Sequence, residues 1–388
     1  MKRSWIMFFG TALLCTAAAA QLGLPRPVAP LARDHAATPV AYVYVSSTPP
    51  NSSNYEVASY GVAADGKLTA ISGSPFTEDV TGLATNRKLL FGSNQNGIDI
   101  DAYTVESNGA LEYASATDIV QGKNCDTALT LFLDRTGASL YNLDYDGNEC
   151  ANTTYQSFAI NPSTGKLTFL DEAGASPELV TALSFIGNNQ FGYGSSCYHF
   201  NPLIYGFARA SNGALKQLSS SPAMPTAPAN ENYCPTGAAA DAANHVAIAM
   251  QPMEGYGTTA GAWQLATYTA NASGLLTTTS NYANMPSVLV GTVLDIEASP
   301  AGNLLAVAGT SGLQIFRFNG ARPITKETGL LTNVEIDHVA WDKNNHLFAI
   351  GQTAGKMHVY TVTPKTATEV SGSPYAVSSP SSVAVHPL

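Results

Sequence analysis

Ala58-Ser59-Tyr60-Gly61-Val62 and, after two intervening residues, Asp65-Gly66-Lys67-Leu68-Thr69 form one phrase. It is a strand-like run with an aromatic residue, a turn carrying Gly, and a second run containing Leu. The phrase returns as Ala102-Tyr103-Thr104-Val105 before Asn108-Gly109-Ala110-Leu111, and as Ser157-Phe158-Ala159-Ile160 before Thr164-Gly165-Lys166-Leu167-Thr168. Two further copies are Tyr205-Gly206-Phe207 before Asn212-Gly213-Ala214-Leu215, and Ala266-Thr267-Tyr268 before Ser273-Gly274-Leu275. Weaker versions at Gln314–Phe318 and His358–Val362 bring the total to seven. Two shorter strand-like runs precede each phrase. In the sixth copy they are Val293-Leu294-Asp295-Ile296-Glu297-Ala298 and Leu304-Leu305-Ala306-Val307-Ala308, joined by a Pro300-Ala301-Gly302-Asn303 turn. Four short strands make one antiparallel sheet, and the 349 residues from Val40 to Leu388 divide into about 50 per copy, a propeller-blade length.

The ends of the repeat region point to a closed ring. The chain enters at Ala41-Tyr42-Val43-Tyr44-Val45, a second-strand phrase with no first strand, and finishes at Ser382-Val383-Ala384-Val385-His386-Pro387, a first-strand phrase with nothing after it. The fragments complete one blade, so the expected fold is all-β: a seven-bladed propeller of four-stranded antiparallel blades, closed by pairing the C-terminal strand with the N-terminal strands.

The aromatic strand, the Asp/Asn-Gly-x-Leu-Thr turn and the Gly73-Ser74-Pro75-Phe76 and Gly372-Ser373-Pro374-Tyr375 phrases resemble the lactonase-type seven-bladed β-propellers, which include 6-phosphogluconolactonase-like and muconate-lactonising proteins. The similarity spans roughly residues 40–388. It implies a site of one His, two Arg and one Glu at the mouth of the central channel. In approximate register the His position falls near Thr181 and the Arg positions near Thr236 and Asp337, while Glu254 matches the Glu. The basic residues that would hold an anionic substrate and a developing oxyanion are therefore not reproduced. Fold resemblance does not carry function with it.

Residues 1–20 read as a secretory signal peptide, with basic Lys2 and Arg3, an apolar run from Trp5 to Leu14 and a small-residue Ala18-Ala19-Ala20 site. Residues 21–39, with four Pro, read as a flexible leader, and residues 40–388 as one propeller domain. The chain of 388 residues is 45% hydrophobic but only 12% charged, with a formal net charge of −10. An acidic surface with few Lys and Arg is a poor partner for phosphate backbones, so no nucleic-acid partner is expected. No segment is long enough for a membrane span. An exported monomer, periplasmic or extracellular, is the expected state.

Four cysteines remain after the leader: Cys125, Cys150, Cys197 and Cys234. An even number in an exported chain reads as two disulfides, and three pairings are open. Laid on the blades, all four fall on one face, an arrangement that favours Cys125–Cys150 and Cys197–Cys234. That face also carries the longest expected loops: Ser46–Glu56, Asp144–Thr154, Ser195–Leu203, Ala223–Thr236 and Gln251–Trp263. Stapled polar loops are where a propeller would bind a small polar ligand, a glycan or a protein. Asp144, Glu149, His199, Asn232 and Tyr233 are the candidate ligand contacts there. No cofactor and no metal are expected. Calcium is the alternative, because Asp144, Asp146 and Asn148 alternate as in a calcium loop, although Glu149 stands where Gly is required.

Glu254, Asp337 and His338 are the candidate catalytic residues. His338 stands next to Asp337 on an expected innermost strand, where alternation turns only one of the two towards the channel. The sequence therefore leaves three functions in competition: a binding protein using the stapled face, a lactone or ester hydrolase with Glu254 or His338 as base, and a structural envelope or adhesion module.

Overall fold

The computed structural model describes residues 38–119, 130–146, 152–174, 182–197, 201–254, 258–259 and 261–388. The expected signal peptide and nearly all of the expected leader lie outside them, as do Cys125, Cys150, Glu149 and His199. Ala37–Leu388 form one compact unit. Among the described residues every regular element is a strand, and no helix is long and apolar enough to cross a membrane.

Seven antiparallel sheets are present, each a blade built on four strands, which in blades two to seven run in sequence order from the channel outward. The innermost strands of blades two to seven are Val80–Thr85, Thr130–Leu133, Ser184–Phe185, Glu231–Ala240, Val293–Ala298 and His338–Trp341. Blade one takes its innermost strand from the C-terminus: Pro380–Pro387 pairs antiparallel with Ala41–Ser47, which pairs onward with Glu56–Val62. This is the closure expected from the two incomplete ends. Blades five and seven add a short fifth strand: Thr258–Thr259 pairs with the end of the second strand of blade five, and Tyr375–Ala376 with the start of the third strand of blade seven.

Between adjoining blades lie seven apolar clusters, one per interface. The second strand of a blade feeds two of them at once. In Ala41–Ser47, Ala41, Val43 and Val45 pack against blade seven, whereas Tyr42 and Tyr44 pack against blade two. Both faces of such a strand are covered, so it is buried at every position and reads as a continuous apolar run rather than an alternating one.

The Gly turns of the repeated phrase lock blade to blade. Tyr44 Oη donates to Gly109 O at 3.0 Å, Tyr141 Oη to Gly213 O at 2.9 Å and Tyr193 Oη to Gly274 O at 2.8 Å, each reaching from one blade to the turn of the next. Gly274 sits at φ +78°, and a Cβ there would lie 2.3 Å from the Phe191 ring. Only Gly meets both demands.

Strands also run further than the sequence reading placed them. Ser139–Asp146 pairs with Asn152–Ile160, and Glu231–Ala240 with His245–Glu254, through stretches read as loop. Pairing satisfies the backbone groups of these polar segments, which side-chain hydropathy does not reveal.

Candidate functional site in the central channel

The innermost strands enclose a channel cavity of about 610 Å³, and a second space of about 280 Å³ continues it along the axis. Ionisable groups converge on one sector, where blade six meets blade seven. Asp295 and Glu297 are two residues apart on Val293–Ala298, so strand alternation puts both on the same face, and His338 begins the neighbouring strand. All three line the larger cavity, and Glu297 lines both spaces.

Asp295 has a structural duty as well. Its Oδ1 accepts from Ile296 N at 2.7 Å and its Oδ2 from Val339 N at 2.9 Å, tying blade six to blade seven. Elsewhere around the channel serine hydroxyls do this work: Ser382 Oγ accepts from Leu83 N at 3.0 Å, and Ser184 Oγ from Ala240 N at 2.9 Å. A hydroxyl therefore suffices for the staple, and a carboxylate exceeds what the fold needs. The excess is directed at His338, whose Nδ1 lies 3.9 Å from Asp295 Oδ2, an ion-pair distance too long for a hydrogen bond. The His338 side chain is 50% exposed and that of Asp295 29%, so both can be reached from the channel.

Burial shapes the charge of this sector. Removal from water raises the Asp295 carboxyl above its ordinary pKa, with His338 acting in the opposite direction and the two backbone N–H bonds adding to that opposition. Glu297 is pushed well above the ordinary carboxyl range, first by burial and then by the neighbouring Asp295 charge. Its Oε2 is buried with no hydrogen-bond partner in the protein. Perturbed carboxyls beside an imidazole in a cleft are the arrangement expected of an acid–base site.

Arg135 also lines the cavity, directly after the innermost strand of blade three. Its Nε donates to Phe185 O at 2.6 Å and its Nη2 to Ala240 O at 3.1 Å and to Asp241 O, so the guanidinium joins blades three, four and five. Burial lowers its pKa, with Asp241 opposing.

The residues singled out in the sequence do not form one group. Of the pair at the start of blade seven, His338 faces the cavity, whereas Asp337 accepts from Gln352 N at 2.6 Å through Oδ2 and caps a turn. Glu254 is exposed at the end of His245–Glu254, paired with Glu231 and Thr258, and is not among the residues lining the cavity. Asp144 is buried within a strand opposite Thr154. Tyr233 is buried and donates to Gln264 Oε1 at 2.8 Å, while Asn232, next to it, is exposed. Cys197 and Cys234 form a disulfide across 37 residues, with Cα atoms 5.2 Å apart. Among the described residues, no cluster of three or more His, Cys, Asp or Glu is placed to hold a metal ion. Asp295, Glu297 and Arg135 escaped the sequence reading. The available signal was the Asp295-Ile296-Glu297 alternation on an innermost strand.

No protein-family model matches the chain, and no curated protein matches it in sequence. Solved structures do. A Bacteroides uniformis protein assigned provisionally to the 6-phosphogluconolactonases superposes with a TM-score of 0.65 at 12% identity, covering 89% of this chain and 99% of its own. The periplasmic gluconolactonase of Pseudomonas aeruginosa superposes with a TM-score of 0.64 at 15% identity, covering 89% of this chain and 98% of its own. At this identity the likeness establishes the seven-bladed propeller fold and nothing of the chemistry.

Proposed function

We propose that this propeller is a hydrolase that opens a lactone or a related ester in its central channel, with His338 as general base and Asp295 as the group that orients it. The observation that carries the reading is the Asp295–His338 pair on the wall of a cavity large enough for a small molecule. In the reaction a water oxygen bonds to the lactone carbonyl carbon while His338 takes a water proton. The carbonyl to ring-oxygen bond then breaks, and the proton passes to the departing ring oxygen, leaving a hydroxy acid. Asp295 stabilises the imidazolium formed in between, and the 3.9 Å separation is expected to tighten with substrate bound, as catalytic contacts commonly do. The likeness to a gluconolactonase supports the reaction class.

The test is hydrolysis of a panel of sugar and aliphatic lactones by the purified protein at constant pH. Turnover above the spontaneous rate is expected, falling about 10²–10⁴-fold in His338→Gln. Rates equal to buffer across the panel overturn the proposal.

A second reading, binding of a glycan or protein at the stapled face, is favoured by the Cys197–Cys234 disulfide, which ties the end of a blade-four strand to the innermost strand of blade five. Asn232→Ala would then weaken glycan capture while leaving hydrolysis intact. The same disulfide supports export to an oxidising compartment, and the signal peptide would be found cleaved after residue 20 by N-terminal sequencing of the secreted chain.

A further inference from the structure

The hydrolytic reading does not itself say which lactones the channel admits, and the charges on its wall bear on that. Resting on that reading, we propose that the substrate is an uncharged, polyhydroxylated lactone whose hydroxyls are held by Glu297 and Asp295, and that lactones carrying phosphate or carboxylate are rejected.

Three observations carry this. First, the sector facing His338 holds two carboxyls and no cation among the described residues lining it. An anion bound there needs Arg or Lys in the fork or point-charge geometry that phosphates and carboxylates demand. Second, the cation that does line the cavity, Arg135, has its Nε and Nη2 committed to the carbonyls of Phe185, Ala240 and Asp241. Turning these nitrogens to a ligand would break the contacts that tie blade three to blades four and five. Third, Glu297 Oε2 is buried without a protein partner, at the junction of the two cavity spaces. A buried polar atom left unpaired is costly, and a sugar hydroxyl is the neutral group that satisfies it, donating to the carboxylate or accepting from the carboxylic acid.

The raised carboxyls point the same way. A wall that already disfavours its own negative charge disfavours a second anion as well, because like charges at short range repel. Of the hydroxyl side chains in the lining, Ser184 and Ser382 accept from the backbone of the neighbouring blade, and Thr81 Oγ1 donates to Ser93 O at 3.3 Å within its own blade.

The experiment compares glucono-1,5-lactone with its 6-phosphate in steady-state hydrolysis, and in parallel titrates glucono-1,5-lactam and its 6-phosphate calorimetrically, since the lactams keep the ring and resist hydrolysis. Expected are a kcat/KM for the neutral lactone at least about tenfold above that of the phosphate and the same order of lactam affinity. Glu297→Gln should weaken the neutral lactam and narrow its advantage over the phosphate. Equal or better use of the phosphorylated lactone overturns the substrate assignment and leaves the hydrolase standing. Hydrolysis of neither lactone overturns the hydrolase. The lactam titration then still decides the ligand class: selective binding of the neutral ring supports it, and binding of the phosphate or of neither overturns it.

Discussion

Glu297 illustrates how a carboxyl on the channel wall loads the fold. Its carboxyl is raised by burial and by Asp295, so the folded state prefers the neutral acid. A carboxyl raised in this way contributes stability that is fully present below its unfolded pKa, about 4.3, and is lost as pH rises through the folded value. Thermal stability is therefore expected to fall on going from mildly acidic to neutral and alkaline pH. Glu297→Gln, which keeps the shape and removes the titration, should flatten that fall and raise the melting temperature at pH 8 by about 1–3 °C, read by circular dichroism melts across a pH series. A variant that melts lower than wild type at pH 8 would mean that the carboxylate is well solvated and does not strain the wall.

Between neighbouring blades, the second strand of one and the Gly turn of the next act as lock and keeper. Tyr193 packs in the cluster between blades four and five, and its hydroxyl donates to the carbonyl of Gly274. Tyr193→Phe keeps the ring but leaves that carbonyl without the bond, at a cost of about 1–3 kcal/mol in denaturant unfolding. Gly274→Ala should cost more, about 2–4 kcal/mol, because the methyl group meets Phe191 and the backbone sits in the left-handed region. If the Gly274 variant unfolds like wild type, the turn shifts freely and the lock is weaker than its geometry indicates. The Asx turns beside these glycines follow from local chemistry: Asn108 Oδ1 accepts from Ala110 N at 3.0 Å, and Asn212 Oδ1 from Ala214 N at 3.1 Å. Such turns are legible in sequence because the residue that makes each one is two positions from the residue it bonds.

The ring as a whole depends on one strand supplied from the far end of the chain. Pro380–Pro387 pairs with Ala41–Ser47 on one side, and on the other its Ser382 Oγ accepts from Leu83 N. Deleting residues 380–388 removes an innermost strand and both its interfaces, so the truncated chain should lose its cooperative melting transition; a wild-type-like melt would show that blade one closes without it. His386 on the same strand stacks on Tyr42, with Nδ1 3.1 Å from Thr85 Oγ1. Burial lowers its pKa. The folded state then prefers neutral imidazole, and stability is lost as pH falls below about 6.5, the ordinary histidine value, through the lowered one. His386→Gln should lessen the drop in melting temperature between pH 7 and pH 5; an unchanged drop would assign acid sensitivity to other groups.

Blade number, strand order and ring closure were legible in the sequence because each rests on a local repeat: an aromatic strand, an Asx-Gly turn and a Leu strand, copied along the chain, with a missing piece at one end matched by a spare piece at the other. Of the Asp337–His338 pair, alternation said only that one side chain turns to the channel, and the tertiary structure put His338 on the cavity wall. Its companions were not legible. Asp295 lies 43 residues before His338 in the chain, and its Oδ2 approaches Nδ1 only because two blades share an edge. Arg135 reads as a free cation until the carbonyls of two other blades close round it. Glu254, the residue that matched by register, ends on an exposed hairpin. Short-range patterning sets the blades, whereas the charge and chemistry of the channel come from side chains of distant sequence position brought to one wall, where burial changes what each of them can do.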